Sequence, residues 1–347
     1  MPAKTIPVDQ AVGMVLPHDI TEIRPAGADN GAFKGPAFKK GHIIRPEDVE
    51  HLRRLGKDRI YILTLEDNEI HENEAARLMA DAMAGQGVVS SGRPTEGKLN
   101  LLAAHDGLLK VNTEALYRFN LLGEVMCATL HDNTPVSKGE QVAATRLIPL
   151  IAERQLVDRA VAIARDAGGL LQVRQMRAAR AGLVITGSEV FHGRIKDCFE
   201  PVLRDKLAKV GSTVARVAFT PDDAKLIAAE IAGCLEDGAD LIVTSGGMSV
   251  DPDDVTRAGI MQAGATDICY GTPVLPGAMF LTGRIGEVPV LGLPACGMFH
   301  RITVFDLILP RVLCGETITR EDLARLGHGG LCRNCQHCQY PVCGFGK

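Results

Sequence analysis

The sequence predicts an α/β protein in which a mostly parallel sheet with helices on both faces follows a smaller mixed α+β, β-rich N-terminal region. Three observations indicate this class. Apolar runs alternate with helix-like segments after residue 179, and glycines follow the apolar runs. Short apolar runs broken by Gly and Pro fill the first 150 residues. A length of 347 residues predicts about two domains, and 46% hydrophobic residues can supply their cores.

The N-terminal region, residues 1–150, is predicted to form two small lobes separated by a linker near residues 86–97, which are rich in Gly, Ser and Pro. The segment 46–55 has the pattern of a helix, which Gly56 ends. Residues 59–63 and 107–111 are candidate strands.

A connecting helix is predicted within residues 151–178. Its apolar positions recur at helical spacing between Ile151 and Ala167, and the pair Gly168-Gly169 provides a stop. This helix separates the N-terminal region from the α/β domain, which we expect to span residues 179–315, and a tail follows in residues 316–347.

The α/β domain begins with a predicted buried strand at 181–185 and a helix at 199–210. A strand at 213–219 precedes Thr220-Pro-Asp-Asp223, a sequence typical of a helix start, and a helix at 224–235. A second buried strand at 239–244 leads directly into glycines. Ligands of such sheets bind at the carboxyl ends of the strands.

Charge and hydropathy exclude two classes of partner. The net charge of −4 provides no basic field for nucleic acid. The sequence contains no apolar run of 18 residues and no signal-peptide pattern, so no membrane association is predicted and the cytoplasm is the expected compartment.

The first strand exit carries a chemical motif. Thr186-Gly-Ser-Glu189 is followed by Gly193-Arg-Ile-Lys-Asp197, so backbone N–H groups, a hydroxyl and two carboxylates lie close in sequence. Such a set can hold a phosphate and a divalent cation. The alternative is an ordinary turn with solvated acidic residues.

The second strand exit, Thr244-Ser-Gly-Gly-Met-Ser249, has two glycines that allow an anion to approach the backbone. Asp251, Asp253 and Asp254 follow. These carboxylates suit a metal or a cationic group near the anion, although the same residues are also typical of a helix cap.

These two motifs, with Leu275-Pro-Gly277 and Val290-Leu-Gly-Leu-Pro294 downstream, resemble the molybdopterin-binding domain of molybdenum cofactor biosynthesis proteins. The chain is similar to a divergent molybdopterin molybdenumtransferase with a four-cysteine tail. The resemblance implies a three-layer α/β domain, Mg²⁺ and the insertion of molybdate into adenylated molybdopterin with release of AMP. It implies a homodimer as well.

The resemblance also implies site residues. Glu189, Asp197 and Asp254 match the acidic residues of the family's active site. The positions expected to contact the pterin or its phosphate are Thr186, Gly187, Ser188, Ser245, Gly246, Gly247, Ser249, Pro276, Gly277, Gly292 and Pro294.

Three motifs depart from the family pattern. Asp251-Pro252 replaces Gly and an acidic residue, Pro276-Gly-Ala-Met279 replaces Pro-Gly-Lys-Pro, and Gly292-Leu-Pro-Ala-Cys-Gly297 replaces Gly-Leu-Pro-Gly-Asn-Pro. The missing Lys removes an expected anion contact. These changes favour an alternative function, a non-catalytic carrier that delivers finished cofactor to an apo-molybdoenzyme, whereas the retained acidic residues favour the transferase. Adenylyl transfer to molybdopterin is a third possibility.

The tail predicts a metal site. Cys332, Cys335, Cys338 and Cys343 have the spacing C-x2-C-x2-C-x4-C. Four thiolates can bind Zn²⁺ or an iron–sulfur cluster, and the crowding of three cysteines two residues apart favours the cluster. The alternative is a tail with free thiols.

Overall fold

The computed structural model describes residues 5–24, 33–61, 66–248 and 255–347. The described residues form two compact units. The first draws on Met1–Ala103, Asn112–Leu130 and Glu140–Gln172, and the second on Ala104–Val111, His131–Gly139 and Val173–Lys347. In the described ranges, no helix is both long and apolar enough to cross a membrane.

The helices, numbered in chain order, are α1 Asp48–Arg54, α2 Glu72–Met83, α3 Thr113–Asn120, α4 Arg154–Asp166, α5 Ser188–Phe191, α6 Phe199–Lys209, α7 Ala224–Glu236, α8 Thr256–Gln262, α9 Val304–Leu313 and α10 Arg320–Arg325. The strands are β1 Thr5–Pro7, β2 Ile20–Arg24, β3 Phe33–Phe38, β4 Arg59–Tyr61, β5 Glu69–His71, β6 Val88–Ser90, β7 Lys98–Ala103, β8 Gly107–Val111, β9 Val125–Thr129, β10 Thr134–Val136, β11 Gln141–Leu147, β12 Ile151–Glu153, β13 Leu171–Arg174, β14 Arg180–Thr186, β15 Thr213–Thr220, β16 Leu241–Ser245, β17 Thr266–Tyr270, β18 Leu281–Ile285 and β19 Val288–Leu293.

The first unit is mixed α+β, as the short apolar runs predict. Its largest sheet has the strand order β6-β7-β11-β9 and is antiparallel throughout. Helices α2 and α4 bury their apolar faces in this unit, and α4 confirms the helix expected after Ile151. The two-stranded pairs β1-β4 and β2-β3 belong to the first 61 residues, which have a separate apolar cluster that includes Leu16, Phe38 and Leu52.

The second unit contains a six-stranded sheet in the order β15-β14-β16-β19-β18-β17. The first four strands are parallel, and β18 and β17 are antiparallel to the strand before them. The mostly parallel sheet predicted from the sequence is therefore confirmed. The segments predicted as the strands at 181–185, 213–219 and 239–244 are β14, β15 and β16.

Helices cover both faces of this sheet because the strands alternate apolar side chains between two cores. One core joins Leu183 of β14 and Val243 of β16 to α6 and α9, and the other joins Val184 and Ile242 to α7 and α8. These four strand side chains are fully buried. Each contributes about 1.5–3 kcal/mol relative to an exposed side chain.

A buried ion pair fixes α9 against α6. Lys206 is 6% exposed, and its Nζ donates to the two Asp306 carboxylate oxygens at 2.6 and 2.7 Å and to the Arg301 carbonyl at 2.8 Å. Asp306 also accepts the Thr303 backbone N–H in the capping box that begins α9. Every hydrogen of this ammonium group therefore has an acceptor, as a buried charge requires.

A second ion-pair network connects α9 to α10. The Arg311 guanidinium donates to Glu316 and Asp322. Burial raises the pKa of Asp322, but the hydrogen bonds that Thr319 and Arg311 donate to its carboxylate outweigh burial and lower this pKa to about 2. Asp322 is therefore ionised at any pH above about 4.

Candidate functional site

The exit of β14 lies against the exit of β16, and the two are joined by buried hydroxyls. Thr186 is 3% exposed, and its Oγ1 donates to the Ser245 carbonyl at 3.1 Å and lies 2.8 Å from Thr256 Oγ1. Parallel pairing of β14 with β16 brings these exits to the same edge of the sheet. Two motifs predicted from the sequence therefore meet in space.

The glycine pair after β16 fits closely against these hydroxyls. Gly246 and Gly247 have φ values of +85° and +52°. A Cβ on Gly246 would lie 2.2 Å from the Thr186 carbonyl oxygen, and a Cβ on Gly247 would lie 2.4 Å from Thr256 Oγ1. Only glycine satisfies both the backbone angle and the space. The chain thus turns at the strand exit with bare backbone.

A cavity of about 740 Å³ opens at this edge of the sheet. Of the residues that the sequence predicts for the site, those that line the cavity are Gly246, Gly247, Pro276, Gly277 and Pro294. The cavity is also lined by Met248, Leu275, Ala278, Met279, Ala295, Cys296, His300, Leu331, Cys332 and Asn334. Among these described residues no Lys, Arg, Asp or Glu occurs, so the wall is mainly apolar side chains and backbone.

The other predicted contact residues lie around the cavity. In the described part of the chain, Thr186, Gly187, Ser188, Ser245 and Gly292 are not among the lining residues. Thr186 packs against the glycine pair, and Ser245 directly precedes it. Gly292 makes room for Met248, whose Cε lies 2.6 Å from the position of a Cβ at residue 292. The predicted contact at Ser249 and the predicted catalytic residue Asp254 lie outside the described residues.

The predicted acidic residues of the first motif have different surroundings. Glu189 is exposed in the short helix α5. Asp197 accepts the backbone N–H groups of Phe199 and Glu200, each at 2.9 Å, one with each carboxylate oxygen. Asp197 therefore caps the start of α6 in this structure. In the described part of the chain, neither carboxylate is among the cavity-lining groups.

Three buried hydroxyls at the sheet edge have no hydrogen-bond partner among the described residues: Thr220 Oγ1, Thr244 Oγ1 and Ser245 Oγ. A buried hydroxyl without a partner costs about 1–3 kcal/mol. Thr244 and Ser245 end β16 directly before the glycine pair, and Thr220 ends β15 on the other side of β14. None of these three described residues lines the cavity, so the group there that can meet a polar or anionic ligand is the backbone of the glycine pair.

Sequence reasoning missed part of the cavity wall. His300 follows the 3₁₀ turn Ala295–Met298, and Leu331 and Asn334 belong to the tail. No local pattern marks these positions. Cys296 is signalled only by its position in the Gly292–Gly297 motif, and burial raises the pKa of its thiol, which favours the protonated form at neutral pH.

The tail cysteines Cys332, Cys335, Cys338 and Cys343 line a second, adjoining cavity of about 540 Å³. In the four described ranges, no group of three or more His, Cys, Asp or Glu side chains is arranged to hold a single metal ion. This finding covers the predicted Zn²⁺ site in the tail and the described acidic residues expected to bind Mg²⁺. The described side chains therefore do not form a preorganised site for either ion.

The fold places a cavity at the carboxyl edge of the sheet of an α/β domain, the edge where sheets of this kind bind their ligands. Residues 182–313 match a family model described as a probable molybdopterin binding domain, which supports the resemblance seen in the strand-exit motifs. Residues 5–64 match a domain of unknown function (DUF8806).

Several known proteins resemble part of the chain. A CinA-like protein of Mycobacterium tuberculosis is 43% identical over 79 residues, which cover 23% of this chain and 18% of that protein's length. The CinA protein of Thermoplasma acidophilum is 20% identical, covering 35% of this chain and 90% of that chain with a TM-score of 0.32. MoaB of Thermus thermophilus, a molybdopterin biosynthesis enzyme, is 22% identical, covering 40% and 98% with a TM-score of 0.35.

Proposed function

We propose that the protein acts in molybdenum cofactor biosynthesis and binds molybdopterin in the 740 Å³ cavity. The observation that carries this proposal is the glycine pair Gly246-Gly247, whose bare backbone lines the cavity at the carboxyl edge of the sheet. Backbone N–H groups in such a turn bind the oxygens of a phosphate. The apolar wall that includes Met248 and Met279 suits the flat face of a pterin.

The reaction we propose is the insertion of molybdate into adenylated molybdopterin, with release of AMP. Glu189 and Asp254 are the candidate acidic groups, because both oxygens of Asp197 are used to cap α6. For Asp197 we propose a positioning role, in which it holds α6 and the loop before it. Mg²⁺ would supply charge neutralisation between the anionic reactants. Since the described acidic residues do not form a Mg²⁺ site, no step is assigned to the ion.

A carrier that delivers finished cofactor to an apo-molybdoenzyme is the second candidate function. One observation favours it: Ala278 and Met279, which replace the Lys-Pro of the family motif, line the cavity and give this wall no cation. Without that charge, the cavity can hold the pterin yet lacks a side chain that would draw molybdate towards it.

One assay separates the two functions. The purified full chain is incubated with adenylated molybdopterin, molybdate and Mg²⁺, and pterin retention and AMP release are measured in parallel, with EDTA in a second sample. AMP release that EDTA and Asp254→Ala abolish, with pterin still bound, supports the transferase. Pterin retention without AMP release supports the carrier. Failure to retain either form of the pterin contradicts both functions. The same preparation analysed by light scattering tests the proposed homodimer.

A pair of charge variants tests the location of the ligand. Ala278 is exposed within the cavity wall, so it tolerates a longer side chain. Ala278→Lys is expected to tighten phosphate-bearing pterin about tenfold and Ala278→Glu to weaken it by a similar factor, since one charge-assisted hydrogen bond contributes roughly 1.5–3 kcal/mol. Ala229→Glu, an exposed position of α7, is the control. Equal affinities in all three variants would contradict ligand binding in this cavity.

A further inference from the structure

All four tail cysteines line one cavity of about 540 Å³, although they are separated by up to eleven positions in the chain. Cys332 and Cys343 are half-buried against the core that contains α6 and α9, and Cys335 and Cys338 are exposed. Four thiols that share a cavity in a folded segment form a better candidate ligand set than thiols on a free tail.

The tail is held firmly on the second unit. The Leu275 N–H donates to the Gly330 carbonyl at 2.8 Å, and the Cys332 N–H donates to the Leu275 carbonyl at 2.8 Å. Near the C-terminal end, Phe345 is 5% exposed in the same core. The two ends of the cysteine segment are thus fixed, one by strand-like pairing and the other by apolar burial.

The first cysteine pair has the local geometry of a ligand turn. Asn334, between Cys332 and Cys335, has a φ of +49°, a conformation that Asn tolerates better than most residues. This turn directs the Asn334 backbone N–H to Cys332 Sγ at 3.5 Å. An N–H that donates to a ligand sulfur stabilises the thiolate and, in iron–sulfur proteins, helps to set the reduction potential.

The charge of the cavity fits an anionic centre. Arg301, Arg333 and His300 are among its lining residues, and none of the described lining residues is acidic. A cubane cluster of charge +2 bound by four thiolates has a net charge of −2, which two guanidinium groups can offset.

A zinc ion and a cubane cluster need their thiolates at different separations. Zinc binds each thiolate at about 2.3 Å, which places four sulfurs within roughly 4 Å of one another. In the described residues, no three candidate ligands converge in this way. A cubane cluster contributes its own iron and sulfide, so its thiolates lie further apart around a larger volume. We propose that Cys332, Cys335, Cys338 and Cys343 bind a [4Fe–4S] cluster in the 540 Å³ cavity.

The proposed cluster lies next to the cavity at the sheet edge. His300, Leu331, Cys332 and Asn334 line both cavities, so one ligand of the cluster also forms part of the other wall. If the proposed function holds and pterin binds in the 740 Å³ cavity, the cluster lies beside the bound pterin. We therefore expect loss of the cluster to weaken pterin binding, because it releases the turn around Asn334 that both cavities share.

The test is anaerobic reconstitution of the full chain with Fe²⁺ and sulfide, followed by metal analysis and visible and electron paramagnetic resonance spectra. About four iron and four sulfide ions per chain are expected, with a charge-transfer absorption that bleaches on reduction. Cys338→Ser should lose most of the iron, and Cys198→Ser, which changes an exposed cysteine outside the cavity, should retain it. Circular dichroism verifies that both variants are folded.

Three results would overturn the cluster: one Zn²⁺ per chain with no bound iron, no metal at all, or equal iron in the two variants. Pterin affinity is then measured with and without the cluster. Pterin binding by a chain that assembles no cluster on reconstitution would reject this inference and leave the proposed function intact. Cluster assembly in a chain that binds no pterin would reject the proposed function and leave the cluster intact.

Discussion

Replacing Gly246 with Ala should destabilise the second unit by an amount that the structure allows to be estimated. At φ +85°, an L-residue in the left-handed region costs about 1–2 kcal/mol. The new Cβ would also lie 2.2 Å from the Thr186 carbonyl oxygen, a backbone atom that cannot rotate away. Overpacking of this kind costs a further 1–3 kcal/mol or so. The total loss in the free energy of unfolding is therefore about 2–5 kcal/mol.

Gly211→Ala is the matched control for this substitution. Gly211 has a φ of +71°, and a Cβ there would meet nothing within 4 Å, so only the backbone strain of about 1–2 kcal/mol applies. Urea unfolding of both variants is followed by far-ultraviolet circular dichroism, because the chain contains no Trp. Hydrogen exchange in β14 and β16 assigns the transition to the second unit. Equal losses in the two variants would refute the close approach of the two strand exits.

Three other changes have expected outcomes. Lys206→Met leaves the Asp306 carboxylate buried without its cation and should lower the free energy of unfolding by about 3–5 kcal/mol. The control Lys209→Met removes an exposed ion pair and should change the free energy of unfolding by less than about 1 kcal/mol. Similar losses for the two variants in urea unfolding would contradict a stabilising role of the buried pair. Burial opposes the low pKa of Asp322, but its hydrogen bonds outweigh it and hold the value at about 2, below the unfolded value of about 3.9. The stabilisation is thus complete above pH 4 or so, and roughly 2 kcal/mol is lost as the pH falls to about 2. Asp322→Asn should abolish this loss of stability between about pH 4 and pH 2. An unchanged dependence of the free energy of unfolding on pH in this variant would refute the assignment to Asp322. Burial keeps the Cys296 thiol protonated and therefore a poor nucleophile. Cys296→Ser should change the free energy of unfolding by less than about 1 kcal/mol and should retain pterin. Loss of AMP release with stability and pterin binding unchanged would assign Cys296 a catalytic role.

The sequence predicted secondary structure correctly where a residue pattern is compatible with one kind of element. The apolar runs at 181–185 and 213–219 are β14 and β15, and the segment at 224–235 is α7, with ends that differ by a residue or two. A strand buried on both faces must be apolar at nearly every position, so it can be recognised from the sequence as a continuous apolar run. The glycine pair after β16 was visible for a similar reason, because only glycine adopts its backbone angles without strain.

The site residues were harder to predict because a motif shows which residues are near in sequence, whereas a cavity depends on which are near in space. Asp197 has the residue type and position of a catalytic acid, yet its two oxygens accept N–H groups of α6. Thr186 is a residue type that often contacts phosphate, yet its hydroxyl donates to the Ser245 carbonyl at the end of the neighbouring strand β16. Hydrogen-bond partners from distant segments decide these roles, and no local pattern records them.

By itself, the sequence determined the α/β class, the strands β14, β15 and β16, the helices α6 and α7 and the glycine turn at residues 246–247, since all of these follow from local periodicity and backbone sterics. It did not predict the short helix α5. The tertiary structure alone decided that β17 and β18 complete the sheet in antiparallel directions and that the cysteine segment pairs with Leu275 to form a wall of the candidate pocket. The physical reason is that strand pairing and cavity walls depend on contacts between residues far apart in the chain, and such contacts leave no periodic signal in either partner.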